Sequence, residues 1–169
     1  LKRVPGTLSR PRPFVGLLAG IAAGLVASAT MAAFQSAANR VAPRDDEGEG
    51  DPATVKAADI ASETVTGEAV PEPWRKPSGQ AVHYLVGATL GGIYGVVTEY
   101  RPEASAGFGG AYGVATSALL DEAAVPAAGL GDAPWHTPLS THAYGLASHL
   151  VYGVVLEGVR ALLGGRRQR

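Results

Sequence analysis

Small residues recur at every fourth position through each of the four apolar stretches of this chain, and no other feature limits its folding as much. The first stretch carries Gly16, Gly20, Gly24, Ser28, Ala32 and Ser36, and the second carries His83, Gly87, Gly91, Gly95 and Glu99. The third carries Gly109, Gly113, Ser117 and Asp121; the fourth carries Thr141, Gly145, His149, Gly153, Glu157 and Ala161. A spacing of four lines these residues along one helix face, where missing side chains let two backbones approach closely, as membrane helices do.

Charge is segregated in the same way. Residues 13–39 and 104–120 hold no charged residue, 77–98 hold none beyond His83, and 133–156 hold only histidines. About 20 apolar residues suffice to cross the hydrocarbon core of a bilayer. The fold expected is therefore all-α: an integral membrane bundle of four glycine-rich transmembrane helices at 13–38, 79–99, 105–127 and 140–163. A cytoplasmic segment, 1–12, precedes them, a long polar extracytoplasmic loop over 40–78 joins the first two, and a basic cytoplasmic tail, 164–169, follows.

The ends of these helices carry their own signals. Asn39, Arg40 and Pro43 mark the exit of the first; Pro102 disfavours helix at Arg101 and closes the second. Gly129, Gly131 and Pro134 form a turn after the third, which contains or ends near Pro126, and Gly164 with Gly165 stops the fourth. In the loop, Asp45, Asp46, Glu47, Glu49 and Asp51 precede an alanine-rich stretch over 53–65. That stretch reads either as flexible loop or as a short amphipathic helix, because Val55, Ala58 and Ile60 cannot all be comfortably solvated. Trp74, Arg75 and Lys76 suit the headgroup layer at the start of the second span.

Several function classes are excluded or disfavoured. The absence of cysteine removes disulfides, thiolate metal sites and thiol catalysis. A net charge of −1, with basic residues gathered at the termini, argues against nucleic acid as a partner. No nucleophile elbow, Walker loop or dinucleotide fingerprint is present, and the glycine cluster Gly107, Gly109, Gly110 and Gly113 lies inside an apolar run, where helix packing accounts for it. An enzyme is not expected. Lys2, Arg3, Arg10 and Arg12 before an apolar run resemble a signal peptide, but the run is longer than the usual 7–15 residues. Leu1 in place of an initiator methionine points to a trimmed or incomplete start.

Basic residues near the span ends favour both termini in the cytoplasm: Lys2, Arg3, Arg10, Arg12, Arg101, Arg166, Arg167 and Arg169 then lie inside. This orientation puts His83, Asp121, His142 and His149 toward the outer side, and Glu99, Glu157 and Arg160 toward the inner side. Ionisable groups in hydrocarbon cost on the order of 2.5–3.5 kcal/mol each, so their presence needs a reason. One is structural: Glu157 can pair with Arg160 three residues on, and His83 can bond Asp121 across helices. Another is ion or proton handling, since histidine titrates near neutrality and desolvation raises carboxylate pKa values. Haem ligation by His83 and His149 has less support, because spacing does not show that they face each other and histidine is easily accounted for otherwise; zinc at His136, His142 and His149 has no more, because His136 sits in the loop and the set matches no known ligand spacing. No metal or other cofactor is expected.

The C-terminal ninety residues resemble a family. His83, Glu99-Tyr-Arg-Pro102, the glycine-rich third span, Pro126-Ala-Ala-Gly129-Leu130, Ser148-His149 and Glu157-Gly-Val-Arg160 are similar to the YagU-like inner-membrane proteins, small polytopic bacterial proteins of which one is linked to acid resistance. The family carries a histidine where Asp121 stands, and the long loop departs from it. The resemblance implies a multi-pass protein of the bacterial inner membrane and a role in acid stress. Two functional expectations follow: proton or ion balance through His83, Asp121, His149, Glu99 and Glu157, or a structural subunit that docks other membrane proteins or another copy of itself.

Overall fold

The computed structural model describes residues 10–41 and 50–165. Lys2, Arg3, Pro43, Arg44, the acidic residues Asp45, Asp46, Glu47 and Glu49, and the tail residues Arg166, Arg167 and Arg169 lie outside them. The described residues are helical, without a strand.

Helix α1 spans Pro13–Val41 and starts on a proline, whose fixed φ and missing N–H suit the first helical position. Helix α2, Ala53–Thr66, forms in the polar segment, so the helical alternative holds there. It ends on Gly67 at φ +81°, whose N–H bonds Glu63 O at 2.9 Å. Val55 and Ala58 are buried but Ile60 is exposed. Helix α3 runs Glu72–Tyr100, starting ahead of the expected residue 79. It stops before Pro102, as that proline requires.

The third expected helix begins later than residue 105. Pro102–Ser105 form a 3-10 turn, and Gly107, Phe108 and Gly109 then all adopt positive φ, a left-handed corner that glycine makes accessible. Helix α4 is Gly110–Leu119. It widens to a π turn over Leu120–Ala124, where Val125 N–H reaches Leu120 O, and narrows again into α5, Val125–Ala127. Pro126 accounts for the widening, because its ring has no N–H for the Glu122 carbonyl and would strike it in a regular turn. Gly129, at φ +68°, closes this helix: its N–H bonds Pro126 O and that of Leu130 bonds Val125 O, a Schellman motif. Helix α6, Leu139–Leu162, ends the same way on Gly164, with Gly165 N–H on Arg160 O at 3.0 Å.

The four small-residue ladders pair two by two. On α1 and α3, Gly16 meets Gly95, Gly20 meets Gly91 and Gly24 meets Gly87, so the helices run antiparallel. On α4 and α6, Gly109 meets Gly153 and Gly113 meets the backbone of His149, again antiparallel. A Cβ built on any of these glycines would come within 3.0 Å of the facing backbone or Ser28 side chain. Helix α1 also packs along α6, and Ala23 and Ala27 of α1 share a buried cluster with Tyr94, Tyr152 and Leu156.

Around that cluster the interior is built of small and polar residues, while most of the large apolar side chains point outward. Glu99 and Arg160 are 0% exposed and Glu157 4%, whereas Leu18 is 68% exposed, Leu85 67% and Leu119 57%. Both α1 and α3 are long and apolar enough to cross a membrane, by length and composition.

Candidate functional site

The polar side chains gather at the two ends of the bundle, named here by α1 as its Pro13 end and its Val41 end. At the Pro13 end, Glu157 and Arg160 lie three residues apart on α6 and form the expected pair. Arg160 Nε donates to Glu157 Oε2 at 2.8 Å and Nη2 to Oε1 at 3.0 Å. Tyr94 of α3 donates its hydroxyl to the same Oε2 at 2.9 Å, and the guanidinium carbon lies 5.8 Å from the centre of the Tyr94 ring. Two helices are therefore bound to one carboxylate. Gly165 gives room for Arg160, since a Cβ there would strike the guanidinium.

Glu99 occupies the same end of the other hairpin. Its Oε2 accepts the backbone N–H of Arg12 at 2.8 Å, just before the first turn of α1. A carboxylate there answers the positive end of the helix dipole. The Arg12 side chain reaches Gly164 O at 2.7 Å and links the start of α1 to the end of α6.

At the Val41 end, the residues expected to form one cluster are divided among three places. His83 does not meet Asp121: its Nε2 lies 3.3 Å from Ser28 O, across the α1–α3 contact. Its ladder position places it opposite Ser28 of α1, while Asp121 sits on the ladder opposite α6. Asp121 lies instead 3.3 Å from His149 Nε2 and accepts the Ser117 hydroxyl at 2.9 Å. His149, 7% exposed, has its Nδ1 3.3 Å from Thr116 Oγ1. His142 forms a third unit, with Nδ1 2.6 Å from Glu122 Oε1 and Nε2 3.1 Å from Pro134 O. Gly145 is the small residue that admits Asp121, whose Oδ2 would lie 2.8 Å from a Cβ there.

The π turn arranges both acid–histidine pairs. His142 and His149 are seven residues apart and share a face of α6, while Asp121 and Glu122 are neighbours that a regular α-turn separates by about 100°. Widening the turn directs both acids toward α6. Replacing Pro126 with alanine removes the cause of the widening, and the expected result is loss of the Glu122 contact. A double-mutant cycle on thermal stability checks this: a His142–Glu122 coupling of about 1 kcal/mol in the native background falls toward zero in Pro126→Ala.

His83 and His149 each contact protein groups, Ser28 O and Asp121 respectively, and among the described residues no group of three His, Cys, Asp or Glu is placed to hold a metal ion.

Outside the helical core, Arg75 pairs with Asp51 and, at 2.8 Å, with Asp59, tying α2 to the start of α3. Lys56 Nζ donates to Leu130 O at 3.2 Å, so α2 also touches the loop before α6. Trp74, expected at an interface, is 65% exposed.

Sequence reasoning missed three tyrosines. Tyr94 bonds Glu157, Tyr112 donates to Leu90 O at 2.8 Å, and Tyr152 donates to Gly87 O at 2.6 Å. The signal is a repeat: Tyr-Gly-Val-Val-x-Glu occurs at 94–99 and again at 152–157, and Tyr112-Gly113-Val114 repeats its start. Each tyrosine precedes a ladder glycine and so projects beside a close helix contact, into the space between the hairpins. Comparison of the chain with protein-family models, with curated proteins and with solved structures finds no match.

Proposed function

We propose that this chain is an integral membrane protein that contributes to proton balance or acid response through the histidines and carboxylates inside its bundle. One observation carries the reading: ionisable side chains line the interior while large apolar side chains cover the exterior. Glu99, Glu157, Arg160 and His149 are all under 10% exposed, and Leu18, Leu25, Ile93, Val114, Leu119 and Val154 all face outward. Water would reverse that distribution, and hydrocarbon favours it.

In this reading four segments span the bilayer: α1, α3, the helix formed by α4, the π turn and α5, and α6. The segment over 110–127 has 18 residues, near the lower limit for a span, and α6 has 24. Both termini lie in the cytoplasm of a bacterial inner membrane, so Glu99, Glu157 and Arg160 are on the inner side and the acid–histidine pairs on the outer. The resemblance to YagU-like proteins points to the same location and to acid stress. His149 beside Asp121 on the outer side and Glu157 on the inner side are the groups to which this reading assigns proton handling.

The test is an acid pulse on proteoliposomes containing a pH-sensitive dye. Proton uptake should exceed that of empty liposomes and be lost in the double variant His149→Ala, Glu157→Gln. Equal uptake with and without protein between about pH 5 and 8 overturns the reading.

A scaffold role in a larger complex or homo-oligomer is the second reading, favoured by an open apolar groove between α1 and α3. Leu17, Ile21, Ala88, Gly92, Ile93 and Val96 line it. Migration as a monomer in mild detergent, without crosslinks in native membranes, argues against it.

A further inference from the structure

Among the described residues three buried hydroxyls have no hydrogen-bond partner: that of Thr141 at the start of α6, and those of Ser28 and Ser148 deep in the interior. Ser28 and Ser148 are 1% and 0% exposed. A buried hydroxyl without a partner costs about 1–3 kcal/mol, so such groups mark a place that something polar fills.

The contacts fix where these hydroxyls lie. Tyr152 bonds Gly87 O and Glu157 bonds Tyr94, so α3 and α6 run parallel. Ser148 precedes Tyr152 by one turn and His83 precedes Gly87 by one turn, which puts them in the same layer. Ser28 belongs to that layer as well, because His83 Nε2 approaches Ser28 O, and its own hydroxyl lies against Gly87. Three helices thus bring two unpartnered hydroxyls and one half-buried imidazole to a single level.

From that level a file of hydroxyls descends along α3. Tyr152 reaches Gly87 O, Tyr112 reaches Leu90 O, and Tyr94 reaches Glu157. Gly87 and Leu90 are three residues apart, about 4.5 Å along the helix axis, a gap that a reorienting hydroxyl or one water bridges. Tyr94 and Tyr112 are in ring contact at 4.5 Å. A cation would call for carboxylates or several free carbonyls at the serine layer. Hydroxyls and an imidazole suit water, which needs two to four polar partners.

We propose that buried water bridges Ser28 and Ser148, and that it forms the outer half of a proton file running from His83 through Tyr152, Tyr112 and Tyr94 to Glu157. This proposal rests on the proton-handling reading and assigns its route. His83 takes a proton from the outer side and passes one to the water. Each water or hydroxyl in the file accepts one proton and releases one, and Glu157 receives the last before releasing it inward. Each passage leaves the hydroxyls turned the other way, and their rotation back restores the file. Around its inner end, Glu157 is faced by Tyr94 from α3 and Arg160 from its own helix, with Gly109, the residue before α4, in contact with it; around its outer end, His83 is faced by Ser28 from α1 and by the Tyr84 ring.

The acid-pulse assay tests it with four single variants, each first shown to melt as the native chain does. Ser148→Val fills the water site and Tyr152→Phe removes a hydroxyl; each should lower the uptake rate about tenfold or more, as loss of a proton-transfer partner does. Ser148→Ala, which leaves room for water, and Thr89→Val, on the exposed face of α3, should keep most of the native rate. Native uptake with undiminished rates in both Ser148→Val and Tyr152→Phe overturns the file and leaves proton handling standing. A native chain that takes up no protons overturns both. Should Ser148→Val fail to fold, the rate of Tyr152→Phe decides.

Discussion

Gly91→Ala is expected to cost about 3 kcal/mol of stability, while Gly92→Ala, one residue along, costs under about 1 kcal/mol. The two glycines lie on different sides of α3. A Cβ on Gly91 would meet only backbone, coming 2.8 Å from Gly24 Cα and closer still to the Gly20 carbonyl oxygen. Backbone in the middle of a helix cannot give way locally, so α1 and α3 must separate and the neighbouring contacts at Gly16–Gly95 and Gly24–Gly87 open with them. A Cβ on Gly92 would instead meet only side chains, Ile21 Cγ1 and Leu17 Cδ1, both at 3.1 Å, which can give by a small rotation where backbone cannot. Thermal melting in detergent reads the difference: for a chain of this size, about 3 kcal/mol lowers the midpoint by roughly 6–12 °C. Equal shifts for the two variants would mean that the glycine ladder is not the close contact between α1 and α3.

Arg160→Met is expected to be as damaging, at about 3–5 kcal/mol, because it leaves the Glu157 carboxylate buried without its cation. Glu157→Gln in the same chain should restore most of the loss. The amide keeps an acceptor for the Tyr94 hydroxyl and carries no charge to desolvate. A buried ion pair stabilises little compared with a neutral pair of the same shape, so rescue by the double variant separates loss of pairing from loss of packing. Tyr94→Phe should cost less, about 1.5–3 kcal/mol, the value of one hydrogen bond to a charged group. If Glu157→Gln fails to rescue Arg160→Met, the guanidinium is holding α6 through contacts other than this pair.

The ladders were legible in the sequence because a helix repeats every 3.6 residues, so spacing alone assigns Gly16, Gly20 and Gly24 to one face. Which ladder meets which is not a local property. The pairing of α1 with α3 and of α4 with α6 follows from antiparallel packing of consecutive long helices, and it alone decides that His83 faces Ser28 while Asp121 faces His149. Glu157 and Arg160 could be paired in advance because both partners sit on one helix turn. The π turn at Leu120–Ala124 was hidden for a different reason: Pro126 signalled a break, yet the chain kept its helix by widening the turn ahead of it. The left-handed corner at Gly107, Phe108 and Gly109 lay within an apolar run that reads as continuous helix, and packing against α6 overrode that reading at Gly109. The tyrosines were missed although Tyr94 and Tyr152 open two copies of one hexapeptide, because only the fold brings Tyr94 of one copy to Glu157 of the other.

In the proposed topology all four helical segments, not just α1 and α3, turn apolar faces to lipid around a polar interior. The chain contains no cysteine, so single cysteines introduced for spin labelling need no background removal. Leu25 of α1, Ile93 of α3, Val114 of α4 and Val154 of α6 are all outward-facing, between 42% and 52% exposed. In liposomes, labels at all four sites should relax strongly with oxygen and weakly with a water-soluble nickel chelate. Strong relaxation by nickel at Val114 and Val154, with Leu25 and Ile93 protected, would contradict the account, because it would leave α4 and α6 in water and only two helices in the bilayer.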